Sequence, residues 1–208
     1  MSGLRERQKA DRRKRIIAAA RALFAKYGHE NTTIEAIAEH AGVSGVTVHN
    51  YYGTKSGVLL ALVAESDREL VEKLGPMLAG HSGTLTDLTL RFARIVRDHV
   101  LTGLDKGIWR QVIAASITDT ESRFGKSYRA LDHQLSLALV REVEALQAAG
   151  KVPADIVAYD LGKALFHVQN TRFIQYVSSE EITSEEVDAL LQRDLKALFS
   201  VGAALQAG

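Results

Sequence analysis

TTIEAIAEHAGVSGVTVHNYYGTK, residues 32–55, is the stretch that decides the fold. Thr32-x-x-Glu35 reads as a capping box: the Thr hydroxyl accepts the amide three residues on, and Glu35 reaches back. Ile34, Ile37, Ala38 and Ala41 then recur at helical spacing. Gly42 supplies a turn, because it can take the positive φ that side chains resist. Ser44 can cap a second helix of only about two turns, with Val48 on one face and Gly45, Thr47, Asn50 and Tyr51 mostly elsewhere. That layout is a helix-turn-helix, whose second helix enters the DNA major groove. Ser44, Gly45, Val46, Thr47 and Asn50 are placed to meet base edges. Gly45 would allow close backbone approach, Val46 could touch a thymine methyl, and Asn50 could read adenine through paired hydrogen bonds.

Working outward, Ile16, Ala19, Ala20, Leu23, Phe24 and Tyr27 form the apolar stripe of a preceding helix that starts near residue 10 and ends at Gly28. Residues 1–10 are polar and expected to be a mobile arm. With Arg5, Arg7, Lys9, Arg12, Arg13, Lys14 and Arg15 the arm and helix start are strongly basic, as in arms that follow phosphates or enter a minor groove. On the other side, a long helix is predicted from Thr54 to about Leu74, interrupted by Gly75-Pro76.

The pattern AGVS-x-x-T-V-x-x-Y-Y-x-x-K, preceded by TTIEAIA and by Ile16–Phe24 and Gly28, closely resembles the DNA-binding domain of TetR-type transcriptional repressors over residues 12–62. The resemblance implies that Thr33, Thr47, Tyr51 and Lys55 hold phosphates and that Tyr52 is a core position. His49 departs from the family, which usually has a phosphate-contacting Tyr there. A His could still donate one hydrogen bond and, once protonated, add charge. Beyond residue 62 no motif carries the resemblance; there the family implies a helical body that binds an effector and forms a homodimer.

The rest of the chain bounds the possibilities. In 208 residues there are two prolines, no cysteine and no apolar run long enough to span a membrane, so disulfides, thiolate metal sites and a membrane anchor are not expected. The charged N-terminus lacks the apolar core of a signal peptide, and a cytoplasmic location is the expectation. Net charge is +1, but residues 1–55 carry ten Lys or Arg against five Asp or Glu, whereas the remainder is acidic. A basic head on an acidic body fits a nucleic-acid contact at one end. Enzymatic motifs are weak: Gly80-x-Ser82-Gly83 lacks the second glycine and preceding strand of a nucleophile elbow, and the histidines form no metal-ligand spacing. Neither an enzyme nor a cofactor is expected.

Helical periodicity continues to the end, giving an all-α chain of about nine helices: a DNA-binding domain at 1–55 and an effector-binding and dimerisation domain at 56–208. Val152-Pro153 opens one of these helices, and Thr183-x-x-Glu186 is a capping box for the last. The last two helices carry Val157, Leu161, Leu165, Val187, Leu191, Leu195 and Leu198, more apolar surface than a small monomer readily buries. An isologous four-helix bundle between two copies would cover it. Polar groups set among aromatics suggest a small-molecule pocket from Phe92, His99, Trp109, Val112, Ser116, Tyr128, Phe166, Asn170 and Phe173. The expected partners are therefore a palindromic operator in double-stranded DNA, an apolar or amphipathic effector, and a second copy. The alternative is a ligand-independent DNA-binding or protein-interaction module.

Overall fold

The computed structural model describes residues 2–102, 104–118 and 123–205. Among them are nine α-helices and no strand: α1 (Ser2–Tyr27), α2 (Ile34–His40), α3 (Gly45–Tyr52), α4 (Lys55–Leu78), α5 (Leu85–Leu101), α6 (Lys106–Thr118), α7 (Arg123–Ala148), α8 (Ala158–Ser178) and α9 (Ser184–Leu205). The all-α expectation holds. The chain divides into two compact units, Met1–Arg68 with Val100–Tyr128, and Glu69–His99 with Arg129–Gly208.

In the first unit, Ile16, Ala20 and Phe24 of α1, Ile37 and Ala38 of α2, Val48 of α3, and Val58, Leu59 and Leu62 of α4 make the core. Helix α1 is longer than expected: residues 2–10 are helical and not an irregular arm. After Gly3 that segment holds Leu, Arg, Glu, Gln, Lys and Ala, all strong helix formers, so it continues the helix it precedes. The expected capping box is shifted by one residue. Thr33, not Thr32, caps α2, its hydroxyl accepting from the Ala36 amide at 3.1 Å. Thr32 is buried and donates to the Gly28 carbonyl at 2.8 Å, closing the turn that leaves α1. With the cap at Thr33, the N3 position falls on Ala36, so Glu35 has no reciprocal capping role.

In the second unit, α4 does not break at Gly75-Pro76 but runs on to Leu78. Leu70, Leu74 and Leu78 lie four apart and are all buried. Burying each is worth about 1.5–3 kcal/mol, which together outweighs the roughly 3 kcal/mol cost of an internal proline. Helix α5 begins with a capping box that differs from the usual Thr-x-x-Glu: the Thr84 amide donates to Asp87 at 2.9 Å and the Asp87 amide to Thr84 Oγ1 at 3.2 Å. The expected box at α9 is present, Thr183 N to Glu186 Oε2 at 2.8 Å and Glu186 N to Thr183 Oγ1 at 3.2 Å. Helix α8 starts at Ala158, later than Val152-Pro153 suggested. Residues 151–157 form a turn held by the Gln147 amide, which donates to the Pro153 and Ile156 carbonyls. Phe92 and Phe166 meet edge to face at 6.2 Å.

The apolar stripe assigned to a subunit contact divides into buried and exposed residues, with Leu161 half-buried between them. Leu165, Val187, Leu191 and Leu195 are buried within the chain itself, so these four are corrected to core. Amphipathic period alone cannot say which chain covers a face. Among the described side chains of α8, α9 and the turn before α8, the large apolar ones left exposed are Val157, Tyr159, Ile174 and Leu198.

Candidate nucleic-acid interface

Helix α3 is held by its two ends and its buried side. At the start, Ser44 is the N-cap: its Oγ accepts from the Thr47 amide at 3.2 Å and lies 2.8 Å from Thr47 Oγ1. Gly42 precedes it at φ 63°, as the tight turn requires. Val48 is fully buried, which fixes the rotation of the helix. That rotation turns Val46, His49 and Asn50 to solvent; Val46 is 69% exposed. A Cβ at Gly45 would meet open space, so another molecule can approach the backbone there. Thr47 and Tyr51 are half-buried at the edges of this face, and the Arg13 guanidinium lies over the Tyr51 ring at 5.5 Å. Tyr52 is partly buried, and burial pushes its hydroxyl above the ordinary phenol range. An exposed apolar Val beside an amide and a hydroxyl suits base edges in a groove.

Two expected contacts look different in three dimensions. His49 Nδ1 is 2.7 Å from the Gly53 carbonyl. A carbonyl only accepts, so Nδ1 carries the proton and Nε2 of the neutral ring is an acceptor. Neutral His49 has no second N–H for a phosphate; only the protonated ring does. Lys55 Nζ donates to the carbonyls of His29 at 2.7 Å and Glu30 at 3.2 Å. It therefore ties the start of α4 to the turn after α1, with one of its three donors remaining. Thr33 is exposed, with its hydroxyl accepting from the α2 cap amide and its O–H able to donate outward. No sequence pattern signalled the carbonyl partners of His49 and Lys55, since both come from turn backbone.

That same turn holds a titratable group. The His29 ring is largely buried, 5.2 Å from the Phe24 ring, and neither nitrogen has a hydrogen-bond partner. Burial first, and then the nearby Lys55 ammonium, push its pKa below the ordinary imidazole range; Glu30 pulls weakly the other way. The unfolded chain therefore takes up this proton more readily than the folded one. The stabilising contribution is present above the unfolded value of about 6.5 and is lost as pH falls through and below it. Melting temperature should drop between pH 7.5 and pH 5, and His29→Phe should flatten that part of the dependence. An unchanged pH profile in the variant would reject His29 as its source.

The residues expected to bind a ligand are distributed over both units. Trp109, Val112, Ser116 and Tyr128 belong to the first unit, and Phe92, His99, Phe166, Asn170 and Phe173 to the second. Phe92, Trp109, Val112 and Phe166 are core side chains. The Trp109 indole donates to the Val100 carbonyl at 3.0 Å, and Ser116 bonds its own helix at Ile113. Within the second unit, a cleft among α5, α8 and α9 is lined by Arg97, Gln169, Arg172, Phe173, Tyr176 and Asp188 among others. It has room for about one water (10 Å³). No cluster of metal ligands occurs among the described residues, and no described helix is long and apolar enough to cross a membrane.

Residues 16–62 match the family model of bacterial regulatory proteins, tetR family. No relative was found among curated proteins. Three solved structures share the fold along nearly the whole chain. A TetR-family transcriptional regulator of Mesorhizobium loti is 20% identical, with 92% of this chain and 96% of that one covered at a TM-score of 0.66. FadR of Thermus thermophilus, a repressor in complex with lauroyl-CoA, is 21% identical, with 90% and 93% covered at 0.67. FadR of Bacillus subtilis, in complex with stearoyl-CoA, is 16% identical, with 89% and 96% covered at 0.63.

Proposed function

We propose that the chain, whose residues 16–62 are a TetR-family helix-turn-helix domain, is a homodimeric repressor that a small apolar or amphipathic ligand releases from a palindromic operator. The observation that carries this is the presentation of α3: a capped, core-anchored helix whose Val46 and Asn50 stand free beside an approachable Gly45. One helix of two turns makes too few contacts for specificity, and two on a twofold axis read a palindrome. Val157, Tyr159, Ile174 and Leu198 are exposed apolar side chains that a second copy would cover. DNA-binding residues under this proposal are Ser44, Gly45, Val46, Thr47 and Asn50 toward bases, and Thr33, Tyr51, Lys55 and protonated His49 toward phosphates. The effector acts by preferring one shape of the body over another, and its leverage is limited to that difference in affinity. Long-chain acyl-CoA in two proteins of the same fold makes it the first ligand class to try.

Selection from random duplexes, followed by anisotropy titrations, tests this directly. The dimer should prefer one palindrome by about 10³-fold or more over random DNA, and lauroyl- or stearoyl-CoA should raise the apparent Kd. Binding that depends only on salt, with no selected sequence, would support a non-specific module instead. Asn50→Ala should relax the preference at one position in each half-site, at about 1–3 kcal/mol per contact. An unchanged selected sequence would remove Asn50 from the base-reading set.

A further inference from the structure

Helix α1 carries one continuous stripe with two chemistries. Arg5, Lys9, Arg12 and Arg13 are followed on the same side, at helical steps of three, four, seven and eight, by Ile16, Ala20, Leu23 and Phe24. In the second half the stripe is apolar and, except for half-buried Leu23, buried in the first unit's core. In the first half every residue from Gly3 to Arg15 is exposed. These thirteen residues form an overhang of about 20 Å at the helical rise, outside the part of the chain that matches the family model. The overhang needs no help from the core, so the selection of four cations on its inner side calls for another reason.

Its position supplies one. Arg13 lies over the ring of Tyr51, so the stripe adjoins the C-terminal end of α3. Arg15, by contrast, is used internally: it donates to Asp11 at 3.2 Å and to the Ala41 carbonyl at 3.0 Å. Arg7 and Lys14 lie on the opposite side of the helix, and Glu6 flanks the stripe. We infer that the overhang of α1 is a second DNA-binding element, with Arg5, Lys9 and Arg12 holding phosphates of the duplex that flanks the half-site read by α3. A rigid helix commits three cations to the backbone with little loss of chain entropy, and it contributes affinity without reading sequence. This inference rests on the DNA-binding function proposed above.

The full chain with Arg5→Gln, Lys9→Gln and Arg12→Gln combined tests it; Gln keeps the helix propensity of the overhang. The selected operator should stay the same, binding should weaken, and the slope of log K against log salt should become shallower by about 0.9 for each phosphate no longer held. Arg7→Gln with Lys14→Gln, which removes charge from the other side, should leave the slope nearly unchanged. Equal changes from the two variants would show general charge attraction and overturn the assignment, as would an unchanged slope in the triple variant. A wild-type chain that selects no operator would defeat the regulator proposal itself; one that selects an operator while the triple variant binds it equally well would defeat this inference alone.

Discussion

Gly57→Ala should lower the melting temperature and weaken operator binding by on the order of 100-fold, although intrinsic propensity favours the change. In an exposed helix, Gly to Ala is worth about 1 kcal/mol of stability. Here a Cβ at position 57 would lie 2.0 Å from the Tyr52 carbonyl oxygen and 3.1 Å from its carbon. Carbon and oxygen ordinarily approach no closer than about 3.3 Å, so the end of α3 and the start of α4 must separate by about an ångström. The obstacle is backbone, which no rotamer change can move aside. Overpacking of this kind costs about 1–3 kcal/mol or more, enough to reverse the propensity gain. The effect on DNA is larger, because α3 itself is what shifts. Hydrogen bonds to base edges tolerate a few tenths of an ångström, and each broken pair removes about 1–3 kcal/mol in both half-sites. A Gly57→Ala protein that melts higher and binds operator normally would show that the two helices are not locked at this point.

Gly57 also marks where sequence reasoning stops. A glycine in the first turn of a helix looks like a weak start; its necessity comes from the Tyr52 carbonyl, brought back by the turn at Gly53 (φ 73°). What can be read in the sequence is local and periodic. Gly42, Ser44 and Val48 each play the part their residue type dictates. The two adjacent threonines show the limit of local rules: either could cap α2, and the choice falls to Thr33 because Thr32 is drawn inward to the Gly28 carbonyl. Pro76 shows propensity overridden by burial of Leu70, Leu74 and Leu78. In the site, exposure of Val46 and Asn50 follows from the spacing to Val48, whereas the carbonyl partners of His49 and Lys55 depend on turn geometry. Leu191 and Leu195 read as apolar in any frame, and only the packed chain shows that they are covered from within.

Asp188 pairs with a buried arginine in the second unit, and its loss should cost about 3 kcal/mol. Its carboxylate accepts from Arg97 Nη1 at 3.0 Å and Arg94 Nε at 2.5 Å. Arg94 is 55% exposed, and water screens most of that attraction. Arg97 is different: its side chain is 7% exposed, its Nε has no hydrogen-bond partner, and its guanidinium lies 5.6 Å from the Tyr176 ring centroid. In Asp188→Asn the shape is kept and one acceptor remains, but the buried cation loses its counter-charge. Removing one partner of a buried pair typically costs about 3–5 kcal/mol, and the retained acceptor places this case at the low end. The cost lies in stranding Arg97, not in losing an attraction, so the remedy is to remove that cation as well. Arg97→Met with Asp188→Asn should recover most of the loss, because an apolar chain of similar length suits the wall formed with Ala93, Tyr176 and Leu191. Urea unfolding of the wild type, both single variants and the double variant gives the coupling. Additive effects, or an Asp188→Asn change below about 1 kcal/mol, would mean that solvent already balances the Arg97 charge.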